Sequence, residues 1–265
     1  MPQRFTEDVV VVTGASGLIG SACVAGFLDE GARVVAIDLE DRLALGGALS
    51  GIPAETFDTD RLLFVRTDLA EEKQITAAFA VGEERFGPAS VLVNNAAVYG
   101  RKAYLELNEG DLERVYHVNV FAPILCGRRA AEAMIANGIE GRIVNLSSTS
   151  SQQSDPHSVG YDSSKGAIDA ATRAMAVALG QFGIRVNAVG PGEMIKSQEV
   201  DNLREPTLLS DFEKRRIPIG RVATPQEVSD AILFLSSSDS RGISGTIIWV
   251  DGGTLGTWTT PMDED

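Results

Sequence analysis

The amino-acid sequence predicts an α/β fold, a doubly wound, seven-stranded parallel sheet flanked by helices on both faces. Three observations predict it. Apolar runs of strand length recur along the 265 residues. They are continuous in Val, Ile and Leu rather than alternating, as strands covered on both faces by helices are. Helix-length segments lie between most of them, and alternating strand and helix builds a parallel sheet.

In chain order, the valine run Val9 to Thr13 opens the sheet and passes through a glycine-rich turn into the helix Leu18 to Glu30, which Gly31 ends. Strand Arg33 to Asp38 follows. Leu45 to Asp60 is too rich in Gly, Pro and acids for a regular helix and reads as a partly irregular crossover. Strand Leu62 to Arg66, helix Glu71 to Phe86, strand Val91 to Asn94 and helix Asp111 to Asn137 continue the alternation. Gly141 leads into strand Arg142 to Leu146, and helix Ser163 to Phe182 reaches Gly183 before strand Arg185 to Val189. Residues 193–216 are polar and charged and follow a strand end, where open α/β sheets bind ligands, so they are read as a substrate lid. Helix Pro225 to Ser237 and strand Thr246 to Val250 complete the sheet. The tail Trp258 to Asp265 reads as frayed or as an oligomer contact. With no repeat and no linker, residues 1–265 are expected to form one domain.

Composition excludes several function classes. There are 37 acidic against 23 basic side chains, a net charge of −14, which repels phosphate backbones, so neither nucleic acid nor an anionic membrane is an expected partner. No apolar run reaches the ~18 residues of a membrane span, and Met1 to Thr6 lead into the first strand without a signal peptide, so the expected location is cytoplasmic. Cys23 and Cys126 lie in apolar helical stretches, which suits a reduced compartment. His117 and His157 are too few and too far apart for a zinc pattern, and no metal site is expected.

Two constellations carry chemistry. The first is Thr13-Gly-Ala-Ser-Gly-Leu-Ile-Gly20 between strand and helix. Gly14 permits the tight turn, Gly17 lets a pyrophosphate approach the backbone, Gly20 lets the helix pack on the sheet, and the helix N-terminus offers N–H groups to the anion. Asp38 ends the second strand 18 residues after Gly20, placed to accept from a ribose diol and to repel a 2′-phosphate. Neither Ser16 nor Leu39 supplies a cation, so NAD is favoured over NADP, with Arg42 keeping the second open. The second constellation is Tyr161 and Lys165, four apart on one helix face, where an ammonium lowers a phenol's pKa toward proton-transfer range. Alone, that spacing also describes a solvated helix face. Ser148, at the end of strand Arg142 to Leu146, emerges at the same sheet edge as the glycine turn.

With these residues in place, the chain resembles the short-chain dehydrogenase/reductase family in its short single-domain branch, with a Rossmann-type fold. The matches run in order through nearly the whole chain: Thr13 to Gly20, Asp68-Leu69, Asn94-Asn-Ala-Ala97, Asn119, Ser148, Tyr161-Asp-Ser-Ser-Lys165, Pro191-Gly192 and Asp251-Gly-Gly253. The resemblance implies that Tyr161 is the general acid/base, that Lys165 lowers its pKa and holds the nicotinamide ribose, that Ser148 orients the substrate oxygen, and that Asn119 anchors Lys165 through a water. It places the cofactor against Gly14, Ser16, Gly17, Ile19, Gly20, Asp38, Leu39, Asp68, Leu69, Asn95, Tyr161, Lys165, Gly192 and Met194. It also implies a homotetramer with a dimer face built from residues 111–137 and 163–182. Three positions depart from the family pattern. The middle glycine of the turn sits one place early, as in the long branch with its epimerases and dehydratases. Ala97 stands for a glycine. Met194 and Lys196 occupy the places of an Ile and a Thr, with Ser197 available by a one-residue shift.

The expected activity is NAD-dependent hydride transfer between nicotinamide and a secondary alcohol or ketone. Polar residues after Ser148 (Ser150, Gln152, Gln153, Ser154, His157) and in the lid suit a sugar, polyol or hydroxy acid. The alternatives are a 3-oxoacyl-type carbonyl reductase, an NAD-retaining epimerase or dehydratase, and a non-catalytic NAD-binding regulator.

Overall fold

The computed structural model describes residues 3–39, 60–194 and 216–257. Seven strands, β1 (Val9–Thr13), β2 (Arg33–Asp38), β3 (Leu62–Arg66), β4 (Val91–Asn94), β5 (Arg142–Leu146), β6 (Arg185–Pro191) and β7 (Ile247–Val250), form one sheet in the order β3-β2-β1-β4-β5-β6-β7. Every pairing is parallel.

The expected doubly wound, seven-stranded architecture is the observed one. Along β1, Val10 and Val12 enter one core with Val24 and Phe27 of α1 (Leu18–Asp29) and Val228 and Ile232 of α6 (Pro225–Ser236). Val9 and Val11 enter the other core with Ile75 and Phe79 of α2 (Glu72–Phe86) and Cys126 and Met134 of α4 (Ala122–Ala136). The period of two sends successive valines to opposite layers, which is why the strand needs valine at every position.

Two helices differ from expectation in ways that matter for the site. The helix expected over Asp111 to Asn137 is three pieces: α3 (Glu109–Tyr116), a π turn over His117–Phe121, and α4. Asn108 starts α3 early with a reciprocal capping box, accepting from the Asp111 N–H while the Asp111 carboxylate accepts from its own. Pro123 has no N–H for the carbonyl four residues back, that of Asn119, and the chain widens there. The helix expected from Ser163 begins at Val159, giving α5 (Val159–Leu179), so Tyr161 stands in its first turn.

The expected lid, apart from its ends, and the crossover at Leu45 to Asp60, apart from Asp60, lie outside the described residues, as do Arg42, Lys196, Ser197 and the tail from Trp258.

Candidate active site

Strand order reverses between β1 and β4, and a cleft of about 760 Å³ opens there along the carboxyl ends of the strands. Its first half is built on the glycine turn. Gly14 has φ +63°, and a Cβ there would lie 2.7 Å from Ala96 Cα, so only glycine fits. Asn95 braces the turn from β4, donating through Nδ2 to the carbonyls of Thr13 (3.0 Å) and Gly14 (2.8 Å). Thr13 Oγ1 returns the contact, accepting from the N–H groups of Asn95 and Ala96. The Asp38 carboxylate closes the turn from β2: Oδ2 accepts from Ser16 N–H (2.8 Å) and Oδ1 from Leu39 N–H (2.7 Å). Asp68 Oδ1 accepts from Ala70 N–H, fixing the loop that carries Leu69.

These residues fit a dinucleotide. The Ser16 hydroxyl lines the cleft, is buried, and has no hydrogen-bond partner among the described residues, and buried hydroxyls are rarely left so. It stands at the N-terminus of α1, whose first N–H groups face an incoming anion.

The second half converges from β5 and α5. Ser148 follows the end of β5, its Oγ accepts from Ser150 N–H, and it lines the cleft with Tyr161. Lys165 is 3 % exposed, and its Nζ donates to the Leu146 carbonyl at 2.7 Å, 5.5 Å from the centre of the Tyr161 ring. Burial pushes the Tyr161 phenol up to about 12, opposed by the Ser148 hydrogen bond and reinforced by Tyr99 and Asp162. The Lys165 ammonium is held beside the ring by the strand carbonyl. Burial also brings Lys165 down to about 8, with Asp169 pulling the other way.

Asn119 sits in the π turn, behind the cleft wall. Its Oδ1 accepts from Val98 N–H, and its Nδ2 donates to the Val98 carbonyl and Ser164 Oγ. That side chain fastens the loop after β4 to α5. On the opposite wall, Gly192 lies so close to β7's end that a Cβ would meet Asp251 Cα at 2.8 Å, and Met194 bridges to Ala223.

Residues 14–254 match the family model described as enoyl-(acyl carrier protein) reductase. The chain belongs to the short-chain dehydrogenase/reductase family. Among its relatives, a cis-4-hydroxycyclohexanecarboxylate dehydrogenase of Sinomonas cyclohexanicum is 37% identical, covering 96% of this chain and 98% of that protein. An L-xylulose reductase of Mesocricetus auratus is also 37% identical, over 92% and 95%. A galactitol 2-dehydrogenase of Agrobacterium fabrum is 31% identical, over 94% and 98%.

In this family member, the structure gathers Gly14, Ser16, Gly17, Ile19, Asp38, Leu39, Asp68, Leu69, Asn95, Ser148, Tyr161, Lys165, Gly192 and Met194 around one cleft. Gly20 stands behind it, against the Gly14 carbonyl, and Asn119 behind Val98. Ser150, Gln152, Gln153, Ser154 and His157 do not line it. Sequence reasoning passed over Thr67, Val98 and Val118, which do, and Tyr99, whose ring meets that of Tyr161 edge to face at 4.5 Å. Each lies within a few residues of a motif, and that adjacency was the available signal. Among the described residues no group of His, Cys, Asp and Glu is arranged to hold a metal, and no helix is long and apolar enough to cross a membrane.

Proposed function

We propose that this protein is an NAD-dependent oxidoreductase that moves a hydride between nicotinamide and a secondary alcohol or its ketone, with a sugar, polyol or hydroxy acid as substrate class. The observation that carries the reading is the convergence of Ser148, Tyr161 and Lys165 on one point of the cleft that also holds the glycine turn. The relatives named for galactitol, L-xylulose and a hydroxylated cyclohexane carboxylate support the substrate class.

When bound, the nicotinamide supplies or takes up the hydride and, when oxidised, brings a positive charge to the site. Tyr161, held near 12 in the free protein, is a neutral phenol at pH 7 and so carries the proton that a carbonyl oxygen gains on reduction. Ser148 Oγ donates to the same oxygen and sets its distance from Tyr161. Lys165 gives one N–H to Leu146 and keeps two for a ribose and for proton exchange. In the oxidative direction Tyr161 must first lose its proton, and positive charge beside the ring favours that loss.

Asp38 supports NAD: its carboxylate, anchored by the Ser16 and Leu39 N–H groups, lines the cleft and would repel a 2′-phosphate there. Exposed Phe121, Ile124, Ile135 and Val177 on the π turn, α4 and α5 support the homotetramer, which light scattering after size exclusion tests. The decisive experiment is a panel of polyols, sugars, hydroxy acids, simple ketones and a 3-oxoacyl thioester, run with NAD and NADP in parallel. Higher kcat/KM with NADP refutes the cofactor reading. Turnover of the thioester alone refutes the polar substrate class.

A further inference from the structure

The face of α5 that carries Tyr161 and Lys165 continues through Asp169 and Thr172, at helical spacings of four, four and three. All four meet the end of β5. Asn145 Nδ2 donates to Thr172 Oγ1 (2.9 Å), the Leu146 carbonyl accepts from Lys165 Nζ (2.7 Å), Ser147 Oγ donates to Asp169 Oδ1 (2.5 Å), and Ser148 lines the cleft with Tyr161. Four successive residues leaving the strand are matched to four positions on one helix face.

Asp169 is the unexpected member. It is 2 % exposed, and its Oδ2 has no hydrogen-bond partner among the described residues. A neutral acceptor would serve the Ser147 hydroxyl equally well. A carboxylate so poorly solvated is costly unless a cation offsets it, and of the two cations one turn away on α5, Lys165 is buried and Arg173 exposed. We propose that Asp169 is a positioning residue of the active site, whose buried carboxylate keeps Lys165 charged and whose bond from Ser147 steadies the strand end that presents Ser148. The inference rests on the catalytic reading of Ser148, Tyr161 and Lys165.

Burial draws the Lys165 ammonium down, and Asp169 is the charge that opposes it. Of the other charged groups on α5 and the segments packed against it, Glu109, Glu113 and Arg114 of α3 and Arg173 of α5 are exposed to water, and the remainder are neutral or paired. From β5 come the Leu146 carbonyl and the Ser147 and Ser148 hydroxyls, and from the π turn comes Asn119. His117 of that turn is exposed and bonded to the Glu113 carbonyl. On α3 and α4, Asp111 pairs with Lys102, Arg128 with Glu72 and Arg129 with Glu132. Arg185 of β6 donates to the carbonyls of Ile243, Leu235 and Ser237. On α5 itself, Tyr161 is a neutral phenol, and the Asp162 carboxylate accepts from Asp155 N–H at the helix start.

Asp169→Asn preserves shape and an acceptor for Ser147 while removing the charge. With lysine labelled with ¹³C at Cε, the five lysines give five titration curves, and Lys165→Arg assigns the relevant one. The Lys165 midpoint is expected to fall by about one pH unit or more in Asp169→Asn, and the alkaline limb of the kcat/KM profile to move down with it. Thr172→Val breaks the neighbouring rung without touching a charge and is expected to leave the midpoint in place. If Asp169→Asn fails to fold, Asp169→Ser, smaller and also neutral, carries the same expectation. An unmoved midpoint in the neutral variant, or an equal shift in Thr172→Val, overturns the proposal. The titration needs no turnover. A wild-type protein inactive on every alcohol and ketone would refute the catalytic reading, while the midpoint shift would still decide the role of Asp169.

Discussion

Alanine at position 20 and alanine at position 17 separate what the glycine turn does for packing from what it does for a ligand. A Cβ on Gly20 would stand 2.0 Å from the Gly14 carbonyl oxygen and 2.8 Å from Asn95 Nδ2. The first contact is backbone, so the turn itself must move. Overpacking of that kind costs about 1–3 kcal/mol, and the higher helix propensity of alanine returns up to about 1 kcal/mol. Taking the middle of that range, the net loss of about 1 kcal/mol lowers Tm by about 2–4 °C in a chain of this size. At Gly17 the nearest atom to a new Cβ is the Gly14 oxygen at 3.4 Å, ordinary contact, and the backbone (φ −73°, ψ 169°) suits any residue. Stability should stay within about 0.5 kcal/mol of wild type. Gly17 does line the cleft, so its methyl takes space a pyrophosphate needs, and NAD affinity should fall about tenfold or more, some 1.4 kcal/mol. Thermal unfolding without ligand and calorimetric titration with NAD read the two effects separately. The reasoning fails if Gly17→Ala melts as far below wild type as Gly20→Ala does, or binds NAD as tightly as wild type.

Tyr161→Phe should lower kcat/KM by about 10²–10⁴ while calorimetric NAD affinity is retained; a variant as active as wild type removes Tyr161 from proton transfer. Asp38→Asn keeps the shape but loses the charge, and should raise the ratio of kcat/KM with NADP to that with NAD about tenfold or more, measured side by side. Lys165 titrates lower in the folded chain, at about 8, than in the unfolded one, at about 10.5, so the unfolded state binds more protons in that window and wild-type stability rises as pH passes from 8 to 10.5. The buried ammonium therefore costs about 3 kcal/mol at pH 7, so the Tm of the ligand-free wild type should rise relative to Lys165→Met as pH passes from 8 to 10, while Lys165→Met, which also leaves the Asp169 carboxylate without its cation, should abolish turnover. A Tm difference that does not change with pH would count against a buried, charged Lys165.

Much of the fold was legible because its signals are local. The valines of β1 announce a strand with helices on both sides, and the glycine turn between a strand and a helix declares its own geometry. Local signals were weaker at the helix ends near the site. The Asn108 capping box and Pro123 were both readable, but the wider turn that places Asn119 follows from their combined effect on one stretch of backbone. The polar residues after Ser148 illustrate the opposite error: adjacency in sequence suggested a substrate wall, and the short helical turn after Ser148 carries them away from the cleft.

By itself, the sequence determined the sheet, the family, and which residues stand at the carboxyl ends of the strands, because hydrophobic period, turn chemistry and motif spacing act over a few residues. The tertiary structure alone decided how those residues are held and charged. Lys165 is held by the Leu146 carbonyl beside the Tyr161 ring, the Tyr161 phenol rises through burial, and Ser147 donates to a buried Asp169. Desolvation and hydrogen bonding depend on which distant segments are packed together, and that is settled only when α5 lies down on β5.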